Sequence, residues 1–219
     1  MILHEICGSE SNAIYRELEI ANGARQYDFL RSIVTASLAV GKPFISSAIL
    51  RALNFQAIAC LHTSAGNYRP CEVKVGIHTP PPQYLVHDLM DDLINTVNRH
   101  WEGSDPVALA AYTLWRLNFI HPFINGNGRT ARAAAYFVLC VHFGSWLPGT
   151  TILPELLRAA RARYVDALVH ADRTLEQGNL DLSPLHNLLV ELLNEQLNGS
   201  APESDAVADV PGSGDTPEA

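Results

Sequence analysis

The segment from His121 to Arg132, HPFINGNGRTAR, concentrates the residue types that phosphate chemistry uses. Gly126 and Gly128 allow positive φ angles and a close approach of the backbone to a ligand. A helix that begins around this glycine pair presents free N–H groups and partial positive charge, which together favour an anion. Arg129 and Arg132 follow, three residues apart in its first turn.

The two arginines stand at the end of a helix where the macrodipole disfavours cations. An anion held between them would explain the placement, and the guanidinium fork suits phosphate oxygens. The alternative stays open that both side chains are solvated or paired with acidic residues elsewhere.

His121 stands at the other end of the same short segment. A histidine titrates near neutral pH and can take a proton from a hydroxyl nucleophile. A base, asparagine donors, a helix-start anion site and two arginines within one short segment indicate phosphoryl or nucleotidyl transfer. The G-x-x-x-x-G-K-[ST] spacing of a P-loop is absent, as is its lysine. Other histidines, including His62 and His78, are scattered and predict structural or surface roles.

Composition limits the classes of protein that fit. The 219 residues are 47% hydrophobic, enough for one globular domain with a sizeable core. The net charge of −8 argues against nucleic-acid binding. No apolar run reaches the roughly 18 residues of a spanning helix, and the N-terminus has no basic region of a secretory signal. We therefore expect a cytoplasmic protein with no nucleic-acid partner and no membrane contact.

Apolar periodicity predicts a mostly helical chain, with one alternating segment, CEVKVGI, that predicts a short strand or hairpin arm. HPFINGNG then joins two apolar helices. The predicted helices cover about residues 28–40, 46–62, 83–100, 106–119, 127–143, 154–170 and 183–197.

HPFINGNGRTAR resembles the signature of Fic (Fido) proteins, HPF-x-[DE]-GN-G-R-x-x-R, and departs from it at Asn125. GNYRPCEVKVGIHTPPP, residues 66–82, is similar to the family's G-x-Y-R segment and the flap hairpin before its proline run. The resemblance implies a mainly α Fic/Fido domain with a short β-hairpin flap. We expect an N-terminal helix at residues 1–27, the Fic domain at 28–198 and a disordered acidic tail at 199–219.

The resemblance implies a protein adenylyltransferase that moves AMP from ATP to a Ser, Thr or Tyr hydroxyl of a target protein. His121 then corresponds to the general base. Asn127, with N–H groups around Gly126 and Gly128, corresponds to the anion hole for the α- and β-phosphates. Two further positions correspond to phosphate-binding arginines: Arg129 for the phosphates in general and Arg132 for the γ-phosphate.

The flap of the resemblance comprises Val73, Lys74, Val75, Gly76 and Ile77. It would bind an extended segment of the target protein by adding a strand. The target protein is not named by the sequence, and a homo-oligomer is left open.

Asn125 replaces the acid that ligates Mg²⁺ in the family. An amide offers one neutral oxygen, whereas Mg²⁺ prefers charged oxygens in octahedral geometry. Three readings follow: weak Mg²⁺ ligation by Asn125, transfer of a different phosphate-containing group, or a catalytically weak nucleotide-binding regulatory module. A structural or DNA-associated helical protein fits less well, because the chain is acidic and its arginines lie at a helix start.

The N-terminal segment is similar to the family's inhibitory pattern [ST]-x-x-x-E-[GN] when Ser11 is aligned with its first position. Tyr15 then replaces the glutamate and Arg16 the glycine. In this register the inhibitory glutamate is missing, so inhibition of that kind is expected to be absent. The alternative is an ordinary packing helix with Ile14 and Leu18 facing inward.

Overall fold

The computed structural model describes residues 3–4, 8–41, 44–76 and 78–199. Among these residues no β-strand is formed, so the predicted mainly α fold is confirmed. Residues 200–219, nearly all of the predicted tail, lie outside the described part of the chain.

Eight α-helices and one 3-10 turn, Gln83–Leu85, have described bounds. None of these helices combines the length and the apolar character that a crossing of a membrane requires. In chain order the helices are α1 (Ala13–Val40), α2 (Ser47–Ile58), α3 (Val86–Arg99), α4 (Pro106–Ile120), α5 (Asn127–His142), α6 (Leu153–Ala159), α7 (Arg161–Glu176) and α8 (Ser183–Asn198).

Helix α1 is continuous where the sequence predicted two segments that meet near residue 28. The side chain of Asn12 caps it by accepting the N–H of Ile14 at 2.9 Å. Gly41, with a φ of 66°, ends it by donating its N–H to carbonyls of the last turn. Gly23 inside the helix costs only about 1 kcal/mol relative to alanine, which tertiary packing offsets. The boundary expected between residues 27 and 28 therefore falls in the middle of a helix.

Helix α5 forms the centre of the core. Twelve of its sixteen residues are buried, so it is covered on all sides rather than along one stripe. Its small side chains at Ala131 and Ala133–Ala135 let neighbouring helices approach closely. Helix α4 makes the most extensive contact with it, and α1, α2 and α6 pack around the rest. The core thus fixes the position of the N-terminal end of α5.

The helix predicted over residues 154–170 is two helices in the structure, α6 and α7. Ala160 lies between them with a φ of −81° and a ψ of 29°. A single residue outside helical geometry does not interrupt the apolar pattern, so periodicity could not reveal this break.

The predicted β-hairpin flap is not formed as strands in the residues that the structure describes. Val75 and His78 instead make an isolated antiparallel bridge, with N–H···O distances of 3.1 and 3.0 Å. Gly76 between them has a φ of 58°. The predicted flap residue Ile77 lies outside the described residues. A lone two-stranded ribbon is marginal in water, which accounts for a bridge in place of strands.

A second, small apolar cluster joins the start of α1 to the end of α2. Leu18 and Ile124 pack against its buried members, which are Tyr15, Ala57, Ile58 and Leu61. Since Ile124 lies in the HPFINGNG segment, the first turns of α1 lie beside that segment. Ile14, one of the two residues expected to face inward, is 59% exposed, and Tyr15 takes the buried position.

Candidate active site

The signature loop, His121–Gly126, joins the C-terminal end of α4 to the N-terminal end of α5. His121 is the C-cap of α4 with a φ of 50°, and Gly126 is the N-cap of α5 with a φ of 76°. A Cβ on Gly126 would lie 2.8 Å from a methyl carbon of Ile58 and 3.0 Å from the amide nitrogen of Asn54. Both the backbone angle and the available space therefore require glycine at this position.

The side chain of Asn127 closes the loop. It is 3% exposed. Its oxygen accepts the N–H of Phe123 at 2.9 Å and its nitrogen donates to the carbonyl of Phe123 at 2.8 Å. The side chain of Asn127 therefore holds the loop in shape.

The N-terminal end of α5 offers backbone N–H groups to a ligand. Thr130 donates its N–H to the carbonyl of Gly126 at 2.9 Å, so the three preceding N–H groups, of residues 127–129, lie at the open end of the helix. Gly128 leaves access to them, because a Cβ there would approach only the end of the Arg132 side chain, at 3.3 Å. The arrangement suits an anion.

Arg129 is already paired. Its Nη1 donates to the carbonyl of Ala57 at 3.0 Å and lies 3.3 Å from Oε1 of Glu19. Its Nη2 donates to Oδ1 of Asn125 at 3.3 Å. Burial lowers the pKa of Arg129, and the charge of Glu19 opposes that effect. Pairing with an acid elsewhere in the chain, the alternative left open by the sequence, therefore applies to this arginine.

Arg132, nearly one turn further along α5, is in a different state. Its Nε is buried, and in the described part of the chain it has no hydrogen-bond partner. Burial raises the pKa of Tyr27 on α1 and of Tyr164 on α7, and the positive charge of Arg132 opposes this effect at both hydroxyls. A buried guanidinium N–H without a partner is costly, and an incoming phosphate oxygen would satisfy it.

The surroundings of Asn125 do not fit a Mg²⁺ ligand. Its Oδ1 accepts the N–H of Gly126 at 2.5 Å and a guanidinium N–H of Arg129 at 3.3 Å. Its amide nitrogen, not its oxygen, faces the carboxylate of Glu10 at 2.8 Å. Mg²⁺ needs charged oxygens in octahedral array, and here the one amide oxygen is held by two donors. The predicted weak metal ligation by Asn125 is not supported by this geometry.

His121 is a neutral imidazole near pH 7. Burial is the largest cause that lowers its pKa to about 4, and the charges of His78 and Arg69 add to the effect. A bond to the backbone of Asn118 acts in the opposite direction. A neutral ring has a free lone pair, so His121 can accept a proton from a hydroxyl.

Arg69 links the signature loop to the flap. It is 1% exposed. Its Nε donates to the carbonyl of His121 at 3.0 Å, its Nη1 to that of Cys71 at 2.9 Å, and its Nη2 to that of Pro81. Its own N–H donates to the carbonyl of Pro122 at 2.7 Å. One buried guanidinium therefore fixes the backbone of the predicted base relative to both ends of the flap.

Asn54 on α2 is a positioning residue that the sequence analysis missed. It is fully buried, and its Nδ2 donates to the carbonyl of Asn125 at 2.9 Å. Its Oδ1 accepts the N–H of Gly66 at 3.0 Å. A lone asparagine in an apolar helix carries no motif, so its role shows only once α2 and the loop are in contact.

The N-terminal segment reaches the same site through residues that the sequence analysis did not assign to it. Nε2 of His62 lies 2.7 Å from the hydroxyl of Tyr15, 3.0 Å from the amide nitrogen of Asn125 and 3.6 Å from Glu10. Glu19, one turn after Tyr15, contacts Arg129. The expected absence of inhibition by a glutamate at position 15 stays a prediction.

The structure thus groups the predicted site residues in two places. Asn125, Arg129 and the glycines lie together at the start of α5, with Arg132 nearly one turn further on. His121 lies at the opposite end of the same loop. The flap residues 73–76 are joined to this end of the loop through Arg69 rather than to the helix start.

Comparison with known proteins identifies the family. The model of the Fic/DOC family matches residues 44–139, which include the flap and the signature loop. A Fido domain-containing protein of Dictyostelium discoideum is 34% identical over 117 residues, which cover 52% of this chain and 77% of that protein. The chain belongs to the Fic/DOC family.

Two further comparisons concern the length of the relatives and the fold. The protein adenylyltransferase fic-1 of Caenorhabditis elegans is 40% identical over 146 residues, which cover 55% of this chain but 28% of that protein. The chain spans less than a third of the curated adenylyltransferases that it matches. A solved structure of C. elegans Fic-1 superposes with a TM-score of 0.67 at 23% identity, covering 87% of this chain and 52% of that one, so the fold is shared.

Proposed function

We propose that the chain is a protein adenylyltransferase, which transfers AMP from ATP to a Ser, Thr or Tyr hydroxyl of a target protein. The observation that carries the proposal is a neutral histidine, His121, at one end of a short loop whose other end is a helix-start anion site with two arginines. Membership of the Fic/DOC family and relatives named protein adenylyltransferase support it.

The donor would bind with its phosphates at the start of α5. The N–H groups of residues 127–129 and the guanidinium of Arg129 suit the α- and β-phosphates. Arg132 suits the γ-phosphate, because its buried Nε has no partner among the described residues. Binding there requires Arg129 to exchange Glu19 for phosphate oxygens.

The reaction would then proceed by direct transfer. The target hydroxyl gives its proton to the imidazole of His121 while its oxygen forms a bond to the α-phosphorus. The bond from the α-phosphorus to the oxygen that bridges to the β-phosphate breaks, and pyrophosphate leaves. Positioning and charge stabilisation by the helix start and the arginines supply most of the catalysis in such a step.

The test is transfer of label from ATP that carries it on the α-phosphate. Purified protein is incubated with this ATP and Mg²⁺, Mn²⁺ or EDTA, alone and with a cell lysate, and labelled proteins are separated on a gel. We expect label on protein from wild type and none from His121→Ala. The matched control is His170→Ala, which removes a surface histidine paired with Asp181 at 2.7 Å and should leave the label unchanged.

Label from γ-labelled ATP instead of α-labelled ATP would contradict AMP transfer and indicate transfer of a phosphoryl group. Label that persists in His121→Ala would contradict the role of His121. The incubation with EDTA shows whether transfer needs a divalent metal.

A second function is favoured by the contacts around Asn125 and Arg129, which occupy the amide oxygen of Asn125 and pair one arginine with Glu19. It is a nucleotide-binding regulatory module with weak or no catalysis. If calorimetry shows that ATP binds, but no label is transferred with either Mg²⁺ or Mn²⁺, the result would support this alternative over the adenylyltransferase. Turnover with either metal would exclude it.

A further inference from the structure

His78, at the C-terminal end of the flap, has acceptors at both ring nitrogens. Its Nδ1 lies 3.2 Å from Oδ2 of Asp172 on α7, and its Nε2 lies 2.9 Å from the carbonyl oxygen of Phe119 on α4. A carboxylate and a carbonyl can only accept. A neutral imidazole carries one N–H, so only the imidazolium can donate to both partners.

Both partners of His78 are held in place. Trp115 donates its Nε1–H to the other carboxylate oxygen of Asp172 at 2.8 Å. Phe119 lies in the last turn of α4, where carbonyls have no partner within the helix and the macrodipole favours a cation. The His78 and Asp172 side chains are 22% and 23% exposed, so the pair is largely shielded from water. This site is built for a protonated histidine.

The charged and titratable groups around His78 come from α7 and α4. Asp172 is the one that raises its pKa most, through the hydrogen bond, and the Phe119 carbonyl adds to this. Burial acts in the opposite direction. At the end of α4, His121 has a pKa that burial lowers most and that the charge of His78 lowers further. The guanidinium of Arg116, also on α4, lies 5.7 and 5.5 Å from the ring centres of Trp115 and Phe119.

The backbone of His78 pairs with the flap itself. Its N–H and carbonyl bond to Val75 across Gly76. Arg69 fixes the chain before the flap at Cys71 and after it at Pro81. Between these two anchors, the ring of His78 fixes the bridge to α4 and α7, which places residues 73–76 beside the end of α4 that carries His121.

We propose that His78 is a positioning residue: as an imidazolium it ties the flap to α4 and α7, and loss of its proton frees the flap. The flap's task of receiving the target segment rests on the proposed function. The tie itself does not, because it is a property of the folded chain without nucleotide or target.

The direction of the pH dependence follows from linkage. The pKa of His78 in the folded chain is raised above its ordinary value of about 6.5. The stability that the tie contributes is therefore complete below about pH 6.5 and is lost as the pH rises through the folded-state pKa. Above that point we expect an open flap.

The chain contains two lysines, Lys42 and Lys74, and Lys42 precedes a proline. Cleavage by endoproteinase Lys-C after Lys74 therefore reports on the flap, and the fragment masses separate it from any cut at Lys42. The full chain is digested from pH 6 to pH 9, and each rate is divided by that of a synthetic peptide of residues 68–80. We expect the normalised rate to rise about tenfold or more across the transition, the effect of one charge-assisted hydrogen bond.

Two variants identify the group responsible. His78→Gln should be cut fast at every pH. Asp172→Asn keeps an acceptor for Trp115 but removes the charge, so its transition should move to lower pH. The control is His170→Gln, which removes a histidine paired with Asp181 at 2.7 Å on the surface; it should behave as wild type.

A second measurement reads the protonation of His78 in the wild-type chain. In nitrogen-15 NMR, the assigned side-chain signals of His78 should show both ring nitrogens protonated up to a higher pH than in a free imidazole. In His78→Gln the pKa of His121 should rise, because a neighbouring positive charge has been removed. A normalised cleavage rate that does not change with pH, or a pH profile that survives in His78→Gln, overturns the tie. Loss of AMP transfer alone leaves it intact.

Discussion

Glu19 and Arg129 form an ion pair across the candidate active site, with Oε1 and Nη1 3.3 Å apart. Glu19 comes from α1, and Arg129 lies in the first turn of α5. The arginine that the family resemblance assigns to phosphates is therefore neutralised before a nucleotide arrives. Any anion that binds there must compete with this carboxylate.

Replacing Glu19 with glutamine should strengthen ATP binding. The pair is partly exposed, 43% at Glu19 and 20% at Arg129. Such pairs contribute about 0.2–1 kcal/mol, so the dissociation constant should fall about 1.5- to 5-fold. Titration calorimetry with ATP measures it. Glu17→Gln, an exposed glutamate on the same helix, is the matched control. Equal affinity in wild type and Glu19→Gln would show that the ion pair does not compete with nucleotide.

The two glycines of the signature should differ in what they tolerate. Gly126→Ala should cost about 1–3 kcal/mol of unfolding free energy, because φ is 76° and the new Cβ would lie 2.8 Å from Ile58. Gly128→Ala meets only the end of Arg132 at 3.3 Å. It should keep the fold but weaken ATP binding, since its methyl group stands before the open N–H groups. Urea unfolding and calorimetry on both variants test this; similar stability losses would contradict it.

The signature loop could be predicted from the sequence because its chemistry is local. Glycine freedom, the helix start at Asn127 and the proximity of Arg129 and Arg132 all follow from a few adjacent residues. The helical fold was also accessible, since α4 begins with the cap Asp105 and Pro106, and both α4 and α5 are rich in apolar residues. The family resemblance added the roles of single residues but did not add their contacts.

The contacts that define the state of the site were not predictable, because they join distant parts of the chain. Asn54 reaches Asn125 across 71 positions, and Glu10 reaches it across 115. The register of the N-terminal segment placed Tyr15 where a glutamate was expected, and the helix turns Glu19 toward Arg129 instead. The flap was predicted as strands, although its shape depends on Arg69 and isolated bridging rather than on alternation.

The buried state of His121 predicts a specific pH dependence of stability. Its folded-state pKa is lowered to about 4, below the ordinary value of about 6.5. As the pH falls, the imidazole of His121 therefore takes up a proton in the unfolded chain before it does so in the folded chain. The contribution of the neutral, buried His121 ring to the free energy of unfolding is complete above about pH 6.5. It is lost as the pH falls toward 4, by at most about 1.4 kcal/mol per pH unit. Comparing urea unfolding of wild type and His121→Gln isolates this effect. A difference between them that is constant from pH 4 to 7 would contradict the burial of the ring.

Asn125→Asp tests whether the missing acid limits metal use. The new carboxylate would keep the contacts to the Gly126 N–H and to Arg129, and would offer a charged oxygen to Mg²⁺. It would also lie close to the Glu10 carboxylate, which now receives the amide nitrogen at 2.8 Å. We therefore expect Mg²⁺-dependent AMP transfer to rise in Asn125→Asp, and by roughly 5-fold more when Glu10→Gln removes the repulsion.

Glu10→Gln alone is the control, because it loses the same carboxylate without adding a metal ligand. Transfer is measured with α-labelled ATP across a Mg²⁺ titration, at a temperature well below the midpoint of unfolding of every variant. If Asn125→Asp, with or without Glu10→Gln, transfers no more AMP than wild type, the loop asparagine does not limit metal use. The pairing of Arg129 with Glu19 would then be the next feature to remove, because it is the other contact that occupies the anion site.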